Sequence, residues 1–168
     1  MQLLRTDSTL RLIQISVLVM FGVYSGLVAI GNIQDPETNL VFVEHVLRMD
    51  TTFERPALMS RSIESPILHR VAFAVIVLSE WVVSLLCLLG AIGLGRRFQA
   101  NAEIFHSAKG LGLFGLGGGV VLWFFGFQVV GGEWFVSWQS TDWNALLTAF
   151  RISSFALLGL ILLTLRAD

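Results

Sequence analysis

Charge is scarce in this chain. Asp, Glu, Lys and Arg make up 14% of its 168 residues, while 55% are hydrophobic. A soluble domain carries about a quarter charged residues, so the shortage argues against a water-soluble fold. Cysteine occurs once, at Cys87, which excludes an intramolecular disulfide framework. That thiol lies in an apolar run, where it reads as a small hydrophobe. The three histidines, His45, His69 and His106, all fall outside the apolar runs. A pair of axial haem ligands facing each other inside the lipid is therefore not expected. No glycine-rich loop precedes Lys-Ser or Lys-Thr, so a phosphate cradle is missing. No placement suggests a Ser-His-Asp or Cys-His set, and an enzyme is not expected. The net charge of −1 gives no support for nucleic-acid binding. Neither a metal site nor a resident cofactor is expected; a bound lipid or quinone is left open.

What the chain does have is four long apolar runs, at about 12–31, 71–95, 110–130 and 143–165. Each approaches the roughly 20 residues that cross a bilayer as a helix. The first reads as an uncleaved span. It is longer than the roughly 7–15 residues of a signal-peptide core, and Ala29-Ile30-Gly31 is a poor cleavage site. The expectation is an all-α, four-helix transmembrane bundle forming a single membrane domain over 1–168. A cap is expected from the outer loops 32–70 and 131–142. Asp35-Pro36-Glu37-Thr38-Asn39 reads as a turn into a short helix that carries Val43, Val46 and Leu47 at helical spacing.

The connections sort by charge. Arg5, Arg11, Arg96, Arg97, Lys109 and Arg166 lie on one side with only Asp7, Glu103 and Asp168. The other side is acidic, and 131–142 contains no Lys or Arg. Basic residues favour the cytoplasmic face, which places both termini there and the cap in the periplasm of a bacterial inner membrane. Trp134, Phe135, Trp138 and Trp143 suit the outer headgroup level.

Two charges lie inside the runs. By counting from the outer ends, Glu80 sits about 15 Å deep and Arg151 about 12 Å deep. Charges at such depth are costly unless paired, so an intramembrane Glu80–Arg151 pair is expected. Ser84 follows Glu80 at i+4, and Asn144 and Thr148 precede Arg151 on one helical stripe. With Tyr24 and Gln128 they outline a polar pocket open to the outer face. Small residues let helices approach closely in lipid, and Gly22 with Gly26, and Gly115 with Gly119, form two such packing motifs. The run Gly117-Gly118-Gly119 suggests a local distortion or a close cofactor approach. Glu44, His45, Glu133, Trp134, Trp138 and Trp143 form a candidate outer interaction face.

Three stretches, 39–53 (NLVFVEHVLRMDTTF), 130–140 (VGGEWFVSWQS) and 143–151 (WNALLTAFR), resemble a bacterial family of small integral membrane proteins. That family is known only as a domain of unknown function. Glu80 and the glycine-rich third run also fit its pattern; the region 55–65 departs from it. The resemblance implies a four-helix membrane protein and carries no activity. The expected role is a non-catalytic accessory or interaction subunit, with membrane lipids and other subunits or a second copy as partners. A small transporter using Glu80 and Arg151, or a lipid- or quinone-binding subunit, are the alternatives.

Overall fold

The structure is a computed structural model that describes residues 6–166. The described residues form helices and no strand: α1 (Thr6–Gln34), α2 (Pro36–Arg48), α3 (Pro56–Met59), α4 (Pro66–Gly95), α5 (Ala102–Ser107), α6 (Gly110–Val120) and α7 (Leu146–Thr164). A π-helical segment, Val121–Trp134, continues α6 without a break. Four of these stretches are long and apolar enough to cross a membrane: α1, α4, the stretch from α5 through the π segment, and α7. The expected four spans are therefore present, with shifted ends. α4 starts five residues earlier than the apolar run, because Pro66 at its first turn is compatible with a helix start. α7 starts three residues later, after Asn144 Oδ1 accepts from the Leu146 amide at 3.0 Å.

The spans form a ring. α1 packs most extensively on α4, α4 on α6, α6 on α7, and α7 closes only lightly on α1. Leu18, Phe21, Val83, Cys87, Leu116, Trp123, Ala156 and Leu163 fill the centre. Glycines set the tight approaches. A Cβ on Gly90 would stand 2.6 Å from the Gly112 backbone nitrogen, so α4 and α6 touch main chain to main chain. The expected packing glycines face neighbours too. Gly22 and Gly26 lie against Leu88 and Ser84 of α4, Gly115 against Cys87, and Gly119 against Phe21. The distortion expected at the triple glycine is displaced. Gly117, Gly118 and Gly119 are regular α-helix, and the i→i+5 pattern begins at Val121.

The connections 32–70 and 131–142 pack together over one end of the bundle. Asp35 caps α2 through the Thr38 amide, with Pro36 at the first position. The helix stops at Met49, which adopts a left-handed backbone (φ 57°). Among the described residues Val136 is the other non-glycine with positive φ, at 47°. Such backbone is strained for a β-branched residue. Both side chains are buried with Phe135 in a small second core that includes Val46, Leu47, Leu58 and Ile63. Thr51 Oγ1 donates to Ser140 Oγ at 2.9 Å, and the Phe53 amide donates to Gln139 Oε1 at 2.8 Å. These bonds tie 32–70 to 131–142 over one end of the bundle.

The opposite end is fastened by polar side chains that reach helix-end carbonyls. The last carbonyls of a helix have spare acceptor capacity for such donors. Gln14 Nε2 donates to the carbonyls of Leu162 (2.8 Å) and Leu165 (3.0 Å). Lys109 Nζ, with its residue only 2% exposed, also donates to Leu165. Arg11 Nη1 donates to the Phe98 and Ala100 carbonyls, and its guanidinium lies 4.6 Å from the Phe105 ring centre.

Candidate binding clefts

Glu80 is 2% exposed and faces α1. Asn32 Nδ2 donates to its Oε2 at 2.7 Å. Two turns before Asn32 on α1, Ser25 Oγ donates to the Glu80 carbonyl at 2.8 Å, and one turn past Glu80 on α4, Ser84 Oγ donates to the Gly22 carbonyl at 2.7 Å. A helical side chain leans toward the helix N-terminus, which on α4 is the capped end. The carboxylate therefore reaches outward to Asn32, near the end of α1. The α1–α4 seam is a polar zipper closed on itself.

Arg151 does not join it. Among the described residues no ion pair within 4.0 Å links Glu80 and Arg151. The expected pair is corrected for a topological reason. α4 and α7 lie across the ring from each other, each beside α1 but on different flanks. Depth along an axis says nothing about direction around it. Arg151 is exposed, and its hydrogen bond among the described residues runs from Nη2 to Thr148 Oγ1 at 3.3 Å. It also sits higher than counting suggests. With α7 starting at Leu146, Arg151 is about 7.5 Å below the helix start.

The pocket expected at the outer half exists in part. A cleft of about 450 Å³ opens between α1 and α7, lined by Met20, Phe21, Tyr24, Thr148, Arg151, Ile152 and Phe155. Tyr24, Thr148 and Arg151 thus come together as expected. Tyr24 is 40% exposed. Three other expected members lie elsewhere. Ser84 is consumed in the α1–α4 zipper, Gln128 Nε2 donates to Ser153 Oγ at 3.0 Å, and Asn144 Oδ1 accepts from the Leu146 amide. Sequence reasoning missed Asn32 and the apolar lining residues. Gly22, Ser25, Gly26, Ala29 and Asn32 share one helical face, and ending the first span at Gly31 cut off its last polar member.

A second cleft of about 260 Å³ lies on the opposite flank, between α2, α4 and the π segment. Phe42, Val46, Val75, Ile76, Phe125 and Phe127 line it, and no charged group does. The candidate outer-face residues are exposed or half-buried, and most also make contacts within the cap. His45 stacks on Trp143 with ring centres 4.3 Å apart and bonds Asp50 at 2.9 Å. Glu44 lies 4.0 Å from buried His69, whose Nε2 donates to the Ile63 carbonyl. Arg61 covers the Trp134 ring, and Trp138 meets Phe53 edge-on. Glu133 is exposed. Among the described residues no cluster of three or more His, Cys, Asp or Glu could hold a metal ion.

Comparison with known families gives one match, over residues 10–166, to the family described as "Predicted small integral membrane protein (DUF2165)". No curated protein and no solved structure matches the chain.

Proposed function

The chain belongs to this family of small integral membrane proteins, and from that premise we propose that it is a non-catalytic accessory component of the bacterial inner membrane. Both termini face the cytoplasm and the cap faces the periplasm. The basic residues Arg5 and Arg11 around the start of α1, and those between α4 and α6, support that orientation. The component works by holding another membrane constituent sideways, in the seam between α1 and α7. One observation carries this reading. That seam is loosely packed in its outer half and exposes a cation without an acidic partner among the described residues. A charge left so near hydrocarbon calls for a partner from outside the chain. A transporter built on a joint Glu80–Arg151 site loses its basis, since the two groups occupy separate seams.

Extraction in mild detergent, followed by mass spectrometry of co-purifying proteins and lipids, tests the reading. The wild-type chain should retain a constituent that Arg151→Gln releases. Identical profiles for the two proteins would remove the seam from the function.

A further inference from the structure

The α1–α7 cleft is graded in polarity along the membrane normal. α1 runs toward the cap and α7 away from it, so low numbers on α7 and high numbers on α1 mark the outer part. Tyr24, Thr148 and Arg151 stand at that outer part; Met20, Phe21, Ile152 and Phe155 lie deeper. A polar mouth above an apolar floor is the profile of an amphiphile standing as lipids do in the leaflet.

The charge and its height narrow the chemistry. α7 has 19 residues, about 28 Å of helix, which barely crosses a hydrocarbon core of about 30 Å. Its first turn is therefore at the hydrocarbon boundary, and Arg151 is just beneath. The bond to Thr148, one turn outward, shows the guanidinium pointing toward the headgroups. Long basic side chains reach the interface in this way. A guanidinium offers parallel donors that match a phosphate's oxygens, and the Tyr24 hydroxyl is a further donor beside it. A neutral quinone head would leave the cation unneutralised. The cavity, about 450 Å³, is within the range of roughly 300–1,000 Å³ usual for small-molecule sites.

We infer that this cleft binds an anionic phospholipid of the outer leaflet, with its phosphate on Arg151 and Tyr24 and the upper part of one acyl chain against Phe21, Ile152 and Phe155. The inference rests on the seam being the binding surface, as proposed above, and adds the class of ligand.

The test uses the full chain in nanodiscs of equal phosphatidylglycerol and phosphatidylethanolamine, with native mass spectrometry of the phospholipid retained on release. Wild type should favour phosphatidylglycerol by about fivefold, the worth of one basic side chain facing an anionic surface. Arg151→Gln should abolish the preference, Arg151→Lys should keep most of it, and Ile152→Trp, which fills the floor, should reduce retention of both lipids. Arg151 is exposed, so unchanged thermal unfolding of Arg151→Gln checks that the fold survives. Equal preference in wild type and Arg151→Gln overturns the inference. So does loss of the preference on adding inorganic phosphate at constant ionic strength, which would identify a soluble anion. A protein that co-purifies only when Arg151 is present, without lipid preference, overturns the lipid and leaves the seam reading standing. No Arg151-dependent species of either kind sinks both.

Discussion

Helix α1 has two flanks, and they are built by opposite rules. Toward α4 it presents Gly22, Ser25, Gly26 and Asn32, and every polar group named there finds a partner on α4 or on α1 itself. Toward α7 it presents Met20, Phe21 and Tyr24, and among the described residues the facing Arg151 finds a hydroxyl on its own helix. Small residues with internally satisfied hydrogen bonds bring helices into contact in lipid. Bulky residues beside an unneutralised cation hold them apart. The contrast explains why the acid of one flank can be structural while the base of the other faces outward.

The comparison breaks first where space is shortest. Gly22→Leu puts a Cβ 2.8 Å from Leu88 Cγ and 3.1 Å from Cys87 Cβ. Overpacking of this kind costs about 1–3 kcal/mol. Thr148→Leu, adding similar bulk to the open flank, should stay within about 0.5 kcal/mol of wild type. Reversible unfolding in micelles measures both, and equal losses would mean that the two flanks are packed alike.

Next in size is the loss of the Glu80 partner. Asn32→Leu leaves a buried carboxylate oxygen without its donor, at a cost of about 2 kcal/mol. A double-mutant cycle between Asn32 and Glu80 should give a coupling above about 0.5 kcal/mol, whereas Glu80 and Arg151 should add within about 0.5 kcal/mol. Coupling between the latter two would reinstate an ion pair across the ring. The smallest effect is Ser84→Ala, which removes one hydrogen bond to the Gly22 carbonyl for about 1 kcal/mol. A larger loss there would mean that the zipper acts as a unit rather than bond by bond.

Much of the architecture was legible in the sequence. Four apolar runs gave four spans, and the apolar spacing after Pro36 gave α2. The clustered tryptophans pointed to the end where the cap forms. Helical spacing also brought Thr148 and Arg151 onto one face, as found. What spacing could not give was the order of helices around the ring, because a one-dimensional pattern records depth and face but not which face meets which helix. That ambiguity produced the Glu80–Arg151 pair and hid Asn32. The π segment was also illegible. Its glycines, Gly126, Gly131 and Gly132, look no different from the packing glycines of α6, and i→i+5 pairing leaves no simple periodic signature.

Gln14 gives the open flank a pivot. Its amide grips two carbonyls at the far end of α7, and Lys109 holds one of the same pair. α1 and α7 are thus riveted at their lower ends while their upper ends stand apart. Any widening to admit a guest is a swing about that rivet, so the gap behaves as the jaws of a pair of tweezers whose joint lies on the other side of the membrane.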